Sequence, residues 1–173
     1  MRTLNCIYEM FNPTIVSSDN CYFTNESGKR YVDFESGVWC TSLGHNNKQV
    51  NEAIIRQMNI IGHTGYRYSN KVVDEAAETV LDLFGFTDGK CVFLSSGSEA
   101  VEFAVLLVKR IMDKPYFLCL DNHFISSYGI SATRDKDQWI SLDLSEYEGN
   151  PAAFLESIPF DRIGAFIFEP GNA

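Results

Sequence analysis

The sequence has no long hydrophobic run and no cluster of positive charge. No stretch approaches the roughly 20 consecutive apolar residues that span a bilayer, and the first five residues lead into no signal-like apolar core. The 14 Lys and Arg residues are scattered and outnumbered by 23 Asp and Glu, which gives a net charge of -9. Nucleic acids and anionic membranes are bound through clustered cations. These absences predict a cytoplasmic protein whose partners include neither nucleic acid nor membrane.

Paired cysteine motifs are also absent. The five cysteines are odd in number, form no Cys-x-x-Cys pair, and lie at Cys6, Cys21, Cys40, Cys91 and Cys119. Three of them fall in strand-like apolar runs, where free buried thiols are common. We therefore predict no disulfide, no metal site and a reducing compartment. The 45% hydrophobic content predicts a chain that folds into a globular core.

The apolar patterns predict an α/β protein in two parts. Two strand-like runs flank the turn signal Asn25-Glu26-Ser27-Gly28 and predict a hairpin. After residue 85, short apolar runs alternate with helical patterns, which is typical of a mostly parallel sheet with flanking helices. Residues 1–62 are expected to form a small α+β segment and residues 63–173 a larger α/β domain. Strands are predicted at Cys21–Thr24, Lys29–Phe34, Ser36–His45, Cys91–Leu94, Tyr116–Leu120 and Ile163–Glu169, and helices at residues 48–62, 70–85 and 98–112.

The loop Ser95-Ser96-Gly97-Ser98 stands between a predicted strand and a predicted helix. In α/β folds ligands bind at this edge of the sheet. The unpaired N–H groups and the dipole of a helix N-terminus favour an anion such as phosphate. The serines could equally serve only as helix caps, with Glu99 and Glu102 favouring the positive helix end. Spacing alone leaves both interpretations open.

Two other catalytic interpretations of this loop fail on single residues, although a hydrolase stays an alternative, and a dinucleotide-binding motif is absent. The Gly-Lys pairs of the chain are followed by Arg30 and Cys91, whereas a Walker loop requires Ser or Thr there. A nucleophile elbow around Ser96 requires a small residue where Leu94 stands. No G-x-G-x-x-G fingerprint for a dinucleotide is present.

Ordered segments in three parts of the sequence resemble one family. The motif "SGSEAVE" is similar to the phosphate-binding motif of class III aminotransferases, the pyridoxal-phosphate enzymes of fold type I. The segment "GKRYVDFESGVWCTSLGHNNKQVNEAIIRQ" resembles the family's entry hairpin, its Leu-Gly-His and the helix that follows. "AFIFEP" resembles its strand ending in Glu-Pro. The resemblance covers about Tyr22 to Pro170, and it implies that residues 63–173 belong to an incomplete cofactor-binding domain.

The resemblance implies roles for particular residues. Gly97 and Ser98, with Ser96 in the same loop, would bind the phosphate of pyridoxal 5'-phosphate. Either His123 or, after a one-residue shift, Phe124 would stack on the pyridine ring; the alternative is that Phe124 belongs to the core and His123 faces solvent. Glu169 would lie near the cofactor. Trp39 would line the substrate pocket and Arg67 could receive a substrate carboxylate, although packing and plain exposure are the structural alternatives. The ungapped match departs from the family where Phe124 and Ile125 replace a His-Gly pair.

The Schiff-base lysine and the pyridine-binding aspartate of the family lie beyond the Glu-Pro motif. No lysine of this sequence matches that position; the seven are Lys29, Lys48, Lys71, Lys90, Lys109, Lys114 and Lys136. The sequence therefore predicts the amino-terminal part of a homodimeric aminotransferase that moves an amino group between an amine or amino acid and a keto acid or aldehyde. Alone it is expected to be inactive. The alternatives are a family relative such as an aminomutase, a non-catalytic module for a phosphorylated ligand, and a fragment that self-associates through a sheet edge.

Overall fold

The structure, a computed structural model, describes residue 11, residues 13–147 and residues 151–171. The chain divides into two compact units, with the boundary between Ala76 and Ala77. The functional boundary after residue 62 stays a prediction. None of the described helices is both long and apolar enough to cross a membrane.

The first unit contains a three-stranded antiparallel sheet in the order β1-β2-β3, formed by Ile15–Asp19, Tyr22–Asn25 and Arg30–Val32. The predicted hairpin is confirmed as β2 and β3, with Tyr22 opposite Val32. Its turn is held by the Asn25 carboxamide oxygen, which accepts hydrogen bonds from the N–H groups of Ser27 and Lys29. Strand β1 was not predicted because its sequence, Ile-Val-Ser-Ser-Asp, shows no clear alternation.

The predicted extended piece Ser36–His45 is wrong. Residues Ser36–Trp39 form a single turn, α1, and all four have positive φ angles between 52° and 64°. The chain folds back here because the Asp33 carboxylate accepts hydrogen bonds from the N–H groups of Glu35 and Ser36, both at 2.9 Å. A side-chain acceptor of this kind replaces the strand partner that an extended segment would need.

Two helices of the chain agree with the prediction. Helix α2 spans Lys48–Ile60. Its N-cap residue is Asn47, whose side chain accepts hydrogen bonds from the N–H groups of Gln49 and Val50. Helix α3 spans Lys71–Phe84 and crosses the boundary between the units.

The second unit is built on a three-stranded parallel sheet in the order β5-β4-β6. The strands are Trp139–Leu142, Tyr116–Leu120 and Ile163–Ile167, and the helices are α4 (Gly97–Ile111), α5 (Ile130–Thr133) and α6 (Pro151–Ser157). The parallel sheet, β4, β6 and α4 are confirmed, while β5 was missed. The predicted strand Cys91–Leu94 is wrong: no described strand pairs with it, and a strand exists only through such a ladder.

The central strand β4 is buried on both faces. Phe117 and Cys119 pack with Val105 of α4, Ile125 and Trp139 on one side. Leu118 packs with Leu142 and Ile158 on the other side. This arrangement fixes α4 against the sheet, with its N-terminus preceded by the loop that starts at Ser95.

Asp33 and His45 form a polar contact that is largely shielded from solvent in the first unit. His45 Nε2 lies 2.7 Å from Asp33 Oδ2, and the two side chains are only 14% and 4% exposed. The His45 ring also packs on Phe23, with 4.7 Å between centroids, and its backbone pairs with Asn20. The hydrogen bond with His45 is the largest reason why the pKa of Asp33 lies below its ordinary value, against the opposing effect of burial. The pair ties α1 to the antiparallel sheet.

Replacing Asp33 with Asn is expected to lower the stability of the protein at pH 7, because the charged acceptor of three hydrogen bonds is lost. A carboxylate with a lowered pKa stabilises above its unfolded value of about 3.9 and loses that effect as pH falls through the folded value. The difference in urea midpoint between the wild type and Asp33→Asn should therefore shrink between pH 5 and pH 3. Glu35→Gln, at an exposed neighbour, is the control. A difference that stays constant over this pH range would contradict the assignment.

Candidate functional site

Three segments meet at the carboxyl edge of the parallel sheet. The N–H of Ser127, in the loop after β4, donates to Ser98 Oγ of α4 at 2.9 Å. In the same loop, His123 Nδ1 accepts a hydrogen bond from the N–H of Glu169, just beyond β6, at 3.3 Å. The structure therefore brings Ser98, His123 and Glu169, which were predicted from distant parts of the sequence, to one edge of the second unit.

The N-terminus of α4 has an internal cap. Ser96 is the N-cap residue, and its Oγ accepts a hydrogen bond from the N–H of Glu99 at 3.2 Å. The Glu99 carboxylate turns back and accepts one from the N–H of Ser95 at 2.8 Å. Ser96 and Glu99 therefore perform the capping function that the sequence left open.

The next two residues of α4 keep unused donors. Within the described part of the chain, no hydrogen-bond acceptor contacts the N–H groups of Gly97 or Ser98. A Cβ added at Gly97 would meet no atom within 4 Å, so open space adjoins this backbone. The Ser98 hydroxyl accepts from Ser127 and keeps its own proton for donation. Together with the positive end of the helix dipole, these donors form a site for an anion.

The loop after β4 presents two ring side chains. Ile125 is the residue that enters the core, at 8% exposure, whereas Phe124 is 58% exposed and its ring is available for contact. His123 is half-buried, and because its Nδ1 accepts a hydrogen bond, the proton of the neutral ring lies on Nε2. The assignment of the stacking role to His123 or Phe124 stays a prediction.

Glu102 has a role that the sequence did not predict. Its Oε1 accepts from the N–H of Ser131 at 2.9 Å and its Oε2 from the N–H of Ile130 at 3.2 Å, so it caps α5 and not its own helix. Burial raises the pKa of Glu102, but the Ser131 side chain and the two backbone donors outweigh this and lower it. The one available signal was Gly129: a helix starting after glycine has no side-chain cap and needs an acceptor from elsewhere.

The two predicted substrate residues lie in the first unit. Trp39 stands at the end of α1 with its side chain 62% exposed. Arg67 is also exposed, in the connection between α2 and α3. Both side chains are accessible, and their roles toward substrate stay predictions.

Among the described residues, no group of three or more His, Cys, Asp or Glu could hold a metal ion. The four described cysteines, Cys21, Cys40, Cys91 and Cys119, are free thiols.

Solved structures define the class of fold. An S-selective transaminase from Arthrobacter sp. with alanine bound aligns with 98% of this chain and 45% of its own, at a TM-score of 0.78 and 22% identity. The ornithine aminotransferase from Toxoplasma gondii ME49 aligns with 95% of this chain and 42% of its own, at a TM-score of 0.78 and 20% identity. The protein therefore has part of the fold of the fold type I pyridoxal-phosphate transferases.

Sequence comparison then gives the family. The family model "Aminotransferase class-III" matches residues 6–135, and the chain belongs to this pyridoxal-phosphate-dependent family. Acetylornithine aminotransferase from Aquifex aeolicus (strain VF5) is 34% identical over an alignment of 125 residues; the match covers 68% of this chain and 33% of that enzyme. Gamma aminobutyrate transaminase 3, chloroplastic, from Solanum lycopersicum is 37% identical over 97 residues, 54% of this chain and 19% of that protein. The chain thus spans about a third or less of the length of these relatives.

Gly129→Ala is expected to destabilise the second unit by about 1–3 kcal/mol, the usual cost of a strained backbone. Gly129 has a φ of +81°, and an added Cβ would lie 2.4 Å from the Glu102 carboxyl carbon. Urea unfolding followed by circular dichroism measures the change. Gly171→Ala is the matched control, because a Cβ there meets nothing within 4 Å and its φ is not positive. Equal stabilities of the two variants would show that the close approach of Glu102 to Gly129 is not required.

Proposed function

We propose that this chain holds the phosphate and one face of the ring of pyridoxal phosphate in an aminotransferase. The enzyme would move an amino group between an amine or amino acid and a keto acid or aldehyde. The observation that carries this proposal is the pair of N–H groups at Gly97 and Ser98, which no acceptor among the described residues contacts, beside the loop that presents His123 and Phe124. We call these two N–H groups and the Ser98 hydroxyl the phosphate cradle.

The local charges fit a phosphate dianion. The chain is acidic, and two carboxylates, Glu99 and Glu102, lie within the first two turns of α4. Each accepts hydrogen bonds from backbone N–H groups other than those of Gly97 and Ser98. Because such bonds disperse the negative charge, the donors of the cradle remain available to an anion.

The ring side of the site is supplied by the loop after β4. When bound, pyridoxal phosphate supplies an electron sink that stabilises charge on the substrate carbon. The exposed ring of Phe124 offers an apolar face for stacking. His123 is held by its hydrogen bond to the Glu169 N–H, so its ring has a fixed orientation at the same edge.

Three of the four lysines of the second unit, Lys109, Lys114 and Lys136, support the proposal that these 173 residues have no turnover alone. Lys109 lies three turns beyond Ser98, roughly 16 Å along the helix at about 1.5 Å per residue. Its ammonium group donates to Gln138, which precedes β5. Lys114 and Lys136 precede β4 and β5, at the amino edge of the sheet. We propose that the covalent lysine belongs to the part of the relatives' length that this chain does not span.

Substrates and assembly are proposed from the relatives. Their names include acetylornithine, gamma-aminobutyrate and ornithine, so we propose an amino acid of this kind as the amino donor and a keto acid as the acceptor. We also propose a homodimer, because large apolar side chains such as Ile54, Met58 and Ile60 of α2 are exposed in the single chain.

Binding of pyridoxal phosphate tests the cradle directly. The wild type should bind pyridoxal phosphate more tightly than pyridoxal, measured by calorimetric titration, because only the former carries the phosphate. Ser98→Ala should weaken the binding about tenfold, the effect of one hydrogen bond to a charged group. Ser95→Ala is the control, since no described contact involves the Ser95 hydroxyl. Equal affinities of the wild type for pyridoxal and pyridoxal phosphate would refute the proposal.

Borohydride reduction tests the absence of a catalytic lysine in this chain. After incubation of the 173-residue protein with pyridoxal phosphate and reduction, mass spectrometry should find no lysine with stoichiometric label. An assay with an amino donor and 2-oxoglutarate should show no turnover. A fully labelled lysine together with turnover would contradict the proposal.

A further inference from the structure

Glu102 and Ser98 contact the same loop from successive turns of α4. Residues four apart lie on one face of a helix, one above the other. Ser98 Oγ accepts from the N–H of Ser127, and the Glu102 carboxylate accepts from the N–H groups of Ile130 and Ser131. Three hydrogen bonds therefore fix residues 127–131 to the helix that carries the phosphate cradle.

Two features make the carboxylate of Glu102 necessary at this place. Helix α5 begins after Gly129, which has no side chain to accept from the first N–H groups of the helix. Ser131 is fully buried, so water cannot replace a missing acceptor for its N–H. The absence of a Cβ at Gly129 lets the carboxylate approach, since such an atom would lie 2.5 Å from Oε2.

Residues 127–131, which these hydrogen bonds fix to α4, follow His123 and Phe124 in the same loop, the two residues proposed to contact the pyridine ring. Residues 123–127 run between two anchors: Asp121, whose N–H donates to Leu142 O at 2.8 Å, and the contacts of Glu102 with α5. The phosphate cradle lies on α4, whereas His123 and Phe124 lie on this loop. The distance between the phosphate site and the ring-facing side chains is therefore set by the contacts that join the loop to α4.

We propose that Glu102 is a positioning residue, which holds the 123–127 loop at the distance from the phosphate cradle that lets one molecule of pyridoxal phosphate contact both. The inference rests on the proposed function. Glu102 does not touch the cofactor in this proposal; it acts through α5 and the loop.

The test compares two ligands on the 173-residue protein. Inorganic phosphate, followed by phosphorus NMR, reports on the phosphate cradle alone, while pyridoxal phosphate reports on the cradle and the loop together. Glu102→Gln replaces one carboxylate oxygen with an NH2 group that cannot accept, so only one of the N–H groups of Ile130 and Ser131 keeps its acceptor. We expect its affinity for pyridoxal phosphate to fall about tenfold. Its affinity for inorganic phosphate should stay within about twofold, because the cradle donors are unchanged. The induced circular dichroism of the bound ring should fall with the loss of a fixed loop.

Two further variants complete the experiment. Glu156→Gln makes the same charge change at an exposed position of α6 and should bind both ligands like the wild type. Glu102→Asp keeps the charge on a shorter side chain, and its affinity for pyridoxal phosphate should lie between those of the wild type and Glu102→Gln. This variant also tests the proposal if Glu102→Gln does not fold.

The outcomes separate the two proposals. Unchanged affinity and ring dichroism in Glu102→Gln and Glu102→Asp would overturn the positioning role. An equal loss of affinity for both ligands would also overturn it, because Glu102 would then support the cradle itself. A wild type that binds neither ligand would refute the proposed function. This measurement precedes those on the variants, so the two failures can be told apart.

Discussion

The burial of β4 on both faces is the constraint on which the second unit depends. Because consecutive side chains of a strand point to opposite faces, Phe117 and Leu118 each need a separate cover. Val105 of α4 supplies one cover and Ile158 supplies the other. Once α4 is packed in this way, its N-terminus and the loop after β4 reach the same edge of the sheet, where Ser98 and Ser127 are joined. The position of the candidate site therefore follows from the packing of α4 and Ile158 against the two faces of β4.

The proposed binding of a dianion requires this acidic chain to direct its own carboxylates elsewhere. Glu99 and Glu102 show how this is done without any lysine or arginine in the cradle. Each carboxylate is used as a cap, one for the start of α4 and one for the start of α5. Negative charge therefore stabilises two helix ends, and the two donors nearest the open space stay unpaired.

The parts of the fold that were predictable are those determined by local pattern. The apolar run Tyr116–Leu120, the helix after Ser96 and the hairpin at Asn25 follow from periodicity and turn residues alone. Segment 91–94 has an equally apolar pattern, but a strand requires a partner that periodicity cannot reveal. The turn Ser36–Trp39 depends on hydrogen bonds from its N-terminal end to Asp33, which no strand pattern encodes.

The residues of the candidate site also divide into those that local pattern predicts and those that it does not. The position of Gly97 and Ser98 at the start of a helix was predictable from local pattern, and α4 does begin there, while their role toward a phosphate stays a prediction. The contact between His123 and Glu169 joins residues 46 positions apart, and that between Glu102 and Ser131 joins residues 29 apart. Such pairs are visible only once the sheet has brought the segments together.

The close approach of Glu102 to Gly129 also constrains how this sequence can change over time. A side chain at position 129 would occupy the space of the carboxylate, and a smaller residue at position 102 would leave the N–H groups of Ile130 and the buried Ser131 without this acceptor. Each single replacement is therefore unfavourable, whereas a paired replacement can restore the fit. The two positions form an epistatic pair, and in a large alignment of class III aminotransferases they should covary although 27 positions separate them along the chain.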